Sequence, residues 1–228
     1  MTLIHGLYCQ FRTGSSYGQE EFAKKMVAYG DQKIPQVFAA LGFGMGDQKV
    51  CLEFGPYPGG MYIGDRTIKL GHQHGMNDKG CLIQEVVRIA QEPGFAFMDS
   101  QQPRTRFLYA GIAGYYRVTM SDDHQGDYPD DSKRTLSTFF SPDDHYGSGA
   151  EFVAYLRRRT SDPDFVRSLN NALKVGSLDA IEAFFRERFA ATYQTVLDSY
   201  PQYRNVFLKR EPWSIGRFSF FTELQAPT

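Results

Sequence analysis

Two hydrophobic periodicities divide this chain, and their separation constrains the fold more than any other feature. In the first third, apolar residues alternate. Residues 3–11 and 49–54 read as strands, and residues 61–64 and 66–70 flank Gly64-Asp65 as a hairpin. In the last third, apolar residues recur at helical spacing. Ile181, Phe184, Phe185, Phe189, Tyr193, Val196, Leu197 and Tyr200 form one stripe. That stripe predicts a single long helix, capped by Ser177 and stopped by Pro201. A chain with both periods, each in its own part, is expected to be α+β: a mixed or antiparallel sheet packed with helices, with a helical C-terminal extension. No linker interrupts the 228 residues, so one domain is expected, with a sheet-rich core over 1–120, a polar loop over 121–149 and the helical part with closing strands over 150–228.

Local signals fill in the rest. Ser16 and Gln19 stand at capping-box spacing before a helix over about 17–29. Pro35 suits the first turn of a second, short helix ended by Gly42. Residues 55–60, Gly-Pro-Tyr-Pro-Gly-Gly, read as a turn. Leu82, Ile83, Val86, Val87 and Ala90 place a helix over 81–91 that Pro93-Gly94 ends. Strands are expected over 94–98, 106–112 and 114–120, and again over 204–209 and 217–224. Residues 150–159 form a helix, and a further helix opens at Ser161-Asp162-Pro163 and closes at Gly176.

Charge and length exclude some functions. A net charge of −1 gives no global basic field for nucleic acid or an anionic membrane. No run of 18 apolar residues is present to span a bilayer. Residues 1–11 lack the basic and apolar regions of a signal peptide, so synthesis in the cytosol is expected, with any export by a signal-independent route. The three cysteines, Cys9, Cys51 and Cys81, show no C-x-x-C spacing and are expected as free thiols.

Cys81 is the leading chemical candidate. A thiol in the first turn of a helix faces unpaired N–H groups and the positive end of the helix dipole, which favour thiolate and could bind an oxyanion. Cys9 and Cys51 sit inside predicted strands, where no helix terminus activates them. His72 and His74, in the glycine-rich loop before Cys81, are candidate bases. The same H-x-H pair could instead ligate a metal with one of two echoing segments, Asp122-Asp123-His124 and Asp143-Asp144-His145. His124 or His145 could also serve as the base. Arg157, Arg158 and Arg159 complement a helix C-terminus, or grip an anionic partner. Gly42-Phe43-Gly44-Met45-Gly46 follows a helix and leads into a strand, the reverse of a phosphate loop.

Gly80-Cys81-Leu82-Ile83-Gln84-Glu85-Val86-Val87, a cysteine opening an amphipathic helix, resembles the nucleophile helix of papain-like hydrolases of the NlpC/P60 group. Ile4-His5-Gly6-Leu7-Tyr8 is similar to the histidine strand of that group, placed upstream of the cysteine as in its circularly permuted branch. Gly60-Met61-Tyr62-Ile63 repeats the strand pattern without the histidine. The resemblance implies a papain-like core and a cysteine hydrolase of amide or peptide bonds, with Cys81 as nucleophile and His5, His72 or His74 as base. It further implies a peptide or peptidoglycan-like substrate, and a toxin or effector with an immunity or secretion partner. No cofactor is expected on this reading. The alternatives are a metal-dependent enzyme using His72 and His74, and a non-catalytic binding module.

Overall fold

The computed structural model describes residues 2–13, 19–55, 60–71, 78–99, 103–121 and 145–210. Chain contacts gather these into two compact units, Met1–Glu92 with Tyr116–His124, and Pro93–Tyr115 with Gln125–Thr228.

The first unit is built on a five-stranded mixed sheet. Its strands are β1 (Thr2–His5), β2 (Cys9–Thr13), β3 (Val50–Gly55), β4 (Gly60–Tyr62) and β5 (Thr67–Gly71), in the spatial order β1-β2-β3-β5-β4. The two outer pairs are antiparallel, and β3 runs parallel to both β2 and β5. The parallel step from β2 to β3 needs a crossover, and helix α1 (Gln19–Ala40) supplies it. Register brings Phe11 opposite Leu52 and Leu52 opposite Ile68, so fully buried residues line up across the sheet. Ala23, Met26, Val27, Ile34, Val37 and Phe38 make the buried stripe of α1.

Asp31 of α1 fixes the β1–β2 turn. Its carboxylate accepts the backbone N–H groups of Leu7 and Tyr8 at 2.7 Å each and of Cys9 at 3.1 Å. The β4–β5 hairpin is as expected from Gly64-Asp65. Asp65 and Arg66 both take positive φ, 45° and 54°, and the Thr67 N–H donates to the Gly64 carbonyl.

Helix α2 (Asp78–Asp99) follows, and α3 (Pro103–Met120) after it. The second unit adds α4 (His145–Thr160), α5 (Phe165–Lys174), α6 (Leu178–Phe189) and α7 (Tyr193–Arg210). Its core is aromatic. Phe152, Tyr155 and Tyr200 pack as one group, and Phe165, Phe184, Phe185, Phe189 and Tyr193 as another. Helices α3 and α4 cross at two glycines. A β-carbon on Gly111 would lie 2.6 Å from the Gly149 carbonyl oxygen, so only glycine permits this approach.

The α+β class, the mixed sheet and the helical C-terminal region agree with expectation. Several elements do not. The two short helices expected around Pro35 are one helix, α1, because the buried stripe runs past the proline through Ile34, Val37 and Phe38. Pro93-Gly94 does not end α2, and Pro201 does not end the last helix. A proline inside a helix removes one N–H, a cost that packing can offset. The strands expected over 94–98, 106–112 and 114–120 are helical instead, in α2 and α3. Every residue from 107 to 116 is buried, so no polar face reveals the 3.6 period. Residues 204–209, expected as a strand, belong to α7. The single stripe from Ile181 to Tyr200 breaks at Ala190, which takes φ 52° and caps α6. Ser177 does cap α6, accepting the Asp179 N–H. The turn over 56–59, most of the polar segment 121–149 and the strand expected over 217–224 lie outside the described residues.

Candidate functional site

Helix α2 is buried on all sides from Leu82 to Gln91, which is unusual because four of those residues are polar. Gln84, Glu85 and Arg88 are 8%, 6% and 7% exposed, and Gln91 is sealed. Burying polar groups at this density requires mutual satisfaction, and the residues form a network. Gln84 donates through Nε2 to Glu85 Oε1 at 3.3 Å and accepts from the Arg117 guanidinium of α3 at 3.2 Å. Arg88 donates to Gln91 Oε1 at 3.4 Å.

The other Glu85 oxygen leaves the helix. Glu85 Oε2 accepts the backbone N–H of Tyr62 at 2.8 Å. Strand β4 is the last strand of the sheet, and Ile63 donates its N–H back to β5 at Thr67. In an antiparallel pair, successive residues alternate between facing the partner and facing away, so the Tyr62 N–H points off the sheet edge, toward α2. Gly60 lets the helix come this close. A β-carbon there would sit 3.1 Å from Cys81 Cβ and 3.2 Å from Glu85 Cγ. Gly80 is similarly constrained, with Arg117 Nε 2.9 Å from where its β-carbon would be.

The electrostatics of the cluster follow from this packing. Burial pushes the Glu85 carboxyl up from its ordinary pKa, while Arg88, the Tyr62 N–H, Gln84 and Arg117 pull against that rise. Glu85 is thus a desolvated carboxyl held against the last strand of the sheet.

The residues expected to act are only partly gathered here. Cys81 lies in the first turn of α2, partly exposed, one turn before Glu85 and against Gly60. His5 is exposed on β1, at the opposite edge of the sheet from β4. Four inter-strand steps separate those edges, on the order of 19 Å, so His5 cannot take a proton from Cys81. His72, His74, Asp122, Asp123, His124, Asp143 and Asp144 lie outside the described residues, as does the side chain of His145. Among the described residues, no group of three or more His, Cys, Asp or Glu is arranged to hold a metal ion.

Cys9 and Cys51 are buried, and burial raises both thiols, with the Asp31 carboxylate adding to the rise at Cys9. Arg159 lies over the Tyr155 and Phe189 rings, within 5.6 Å and 5.3 Å of their centroids, and donates to the Tyr155 hydroxyl. Its place is in the aromatic core of the second unit.

Sequence reasoning passed over Glu85. The available signal was a polar row, Gln84, Arg88 and Gln91, recurring at i, i+4 and i+7 on a helix otherwise made of Leu, Ile, Val and Ala.

A family model described as BSP, peptidase of plants and bacteria, matches residues 61–200, more than half of the chain. The matched span begins on β4 and takes in all of α2. No curated protein and no solved structure matches. The family match overturns the resemblance to the NlpC/P60 group. A cysteine at the start of a buried amphipathic helix is too common an arrangement to separate the two, and the histidine strand compared with that group, around His5, lies outside the matched span. The papain-like core and the cell-wall substrate drew their support from that resemblance and lose it. The chain belongs to the BSP family, peptidases of plants and bacteria.

Proposed function

We propose that this chain engages peptides along β4, with Glu85 of α2 as the group that holds the strand in place. Membership in a peptidase family implies a peptide substrate. Strand β4 is the last strand of the sheet; Glu85 takes its outward Tyr62 N–H, and its Met61 and Ile63 side chains are exposed for contact with a peptide. The observation that carries the reading is the Glu85–Tyr62 hydrogen bond. It fixes β4 against the buried face of α2 and so sets where the exposed side chains of the strand stand.

Binding of fluorescein-labelled casein, followed by anisotropy, tests this. Glu85→Ala is expected to weaken binding about tenfold, because loss of the hydrogen bond to Tyr62 frees β4 from α2. Leu7→Ser, on the turn beyond the opposite edge, is expected to leave it unchanged. Equal affinity for folded Glu85→Ala and the unaltered chain would refute the reading.

A second reading has one observation in its favour. Cys81 sits one turn from Glu85 and also faces β4, so a peptide docked there would lie close to a thiol. On that reading Cys81 is the nucleophile of a peptide hydrolase, and Cys81→Ala abolishes turnover of casein while leaving its binding intact.

A further inference from the structure

The BSP family is one of metallo-type peptidases. The best-known way for a helix to hold a peptidase zinc is the H-E-x-x-H pattern, in which two imidazoles at i and i+4 bind the ion and the intervening glutamate acts as base. None of the five histidines of this chain, His5, His72, His74, His124 and His145, begins that pattern. Five glutamates lie on helices within the matched span: Glu85, Glu92, Glu151, Glu182 and Glu187. Only Glu85 has polar side chains at both positions where the imidazoles would be, and these are Gln84 and Arg88.

Neither residue fits a metal. Gln84 is a neutral amide whose oxygen accepts from Arg117 and whose nitrogen donates to Glu85. Arg88 carries a guanidinium that has no lone pair to offer. It is 7% exposed, so its charge is poorly screened, and it opposes a divalent cation beside it. Glu85 is also committed, with one oxygen on Gln84 and the other on Tyr62. The positive charge that a metal would bring to this carboxylate comes instead from the protein's own Arg88 and Arg117.

We infer that α2 is not a metal centre, its own Arg88 and Arg117 standing beside Glu85 in place of a cation, so that this chain engages peptides at β4 without binding zinc on α2 and without zinc-dependent hydrolysis there. This rests on the peptide-engaging role of β4 and α2. It differs from that role in what it forbids: the helix that anchors the peptide-engaging strand is not a metal centre.

Two readouts on the full chain separate the claims. The first is a zinc titration by calorimetry without peptide, on the unaltered protein and on Glu85→Ala. The inference expects the two to match, whether neither binds zinc or both bind it equally through residues elsewhere. Zinc binding in the unaltered chain that weakens about tenfold or more in folded Glu85→Ala would overturn it, since that is the usual effect of losing a group from a metal site. The second readout is labelled-casein binding with and without a chelator. The inference expects the affinity to stay within about twofold, and chelator-sensitive binding that Glu85→Ala also removes would overturn it. Absence of casein binding with no zinc response at Glu85 would sink the peptide reading alone.

Discussion

The Glu85 carboxylate of α2 takes the backbone N–H of Tyr62 at 2.8 Å, tying a buried helix to the last strand of the sheet. That bond joins the two halves of the proposed site, and its chemistry depends on the charge of Glu85. Burial raises the carboxyl above its ordinary value of 4.5, and the neighbouring guanidinium groups oppose this without cancelling it. Between the unfolded and folded pKa values, the folded chain holds a proton that the unfolded chain has released. The Glu85 contribution to stability therefore falls as pH rises through that window and is constant above it. Glu85→Gln removes the titration. Its melting temperature relative to the unaltered chain should climb as pH rises above about 4.5 and then level off. A difference independent of pH would contradict the assignment.

Gly60→Ala tests the close approach of β4 and α2. The new methyl group would press on Cys81 Cβ at 3.1 Å and Glu85 Cγ at 3.2 Å, on a helix whose residues from Leu82 to Gln91 are all buried. Overpacking of this kind costs about 1–3 kcal/mol and outweighs the smaller gain from restricting the unfolded chain. Urea unfolding should show a lower midpoint at an unchanged slope, and an unchanged midpoint would mean that strand and helix are further apart.

The three thiols should differ in reactivity. Cys9 is sealed, donates to the Val27 carbonyl and faces Asp31, all of which disfavour thiolate. Cys51 is buried, and its pKa is raised by burial. Cys81 is partly exposed in the first turn of α2. Alkylation of the folded protein, mapped by mass spectrometry, should modify Cys81 first and Cys9 only on unfolding. Comparable rates at Cys9 and Cys81 would count against the packing described here.

In the second unit, the Tyr200 hydroxyl donates to Glu151, a carboxylate with no exposed surface. Tyr200→Phe keeps the ring that packs edge-on against Phe152 and at a tilt against Tyr155 but removes this donor. The expected loss is about 1–3 kcal/mol, read by thermal or urea unfolding. A change within experimental error would show that Glu151 is satisfied without Tyr200.

Where the sequence was legible, a local rule decided the structure. The hairpin at Gly64-Asp65, the Ser177 cap and the closure of α5 at Gly176 depend on a few residues whose backbone preferences are strong. It misled where burial was complete. Residues 107–116 have no solvent face, so their helical period is invisible and their aromatic and branched content imitates a strand. Pro35 misled for a related reason, since the packing of Ile34, Val37 and Phe38 around it outweighs a lost hydrogen bond. The site was half legible. Cys81 and its helix could be read, but Glu85 gains its character only when the chain folds. Its key partner, Tyr62, is 23 residues away and contributes a backbone group that no side-chain motif records.

The most direct test of the account is hydrogen exchange on the full chain, with and without a saturating concentration of casein-derived peptides. The account predicts added protection at residues 60–63 and on α2 around residue 85, with little change at β1 on the far edge. Peptide binding that protects other segments and leaves 60–63 unaltered would contradict it.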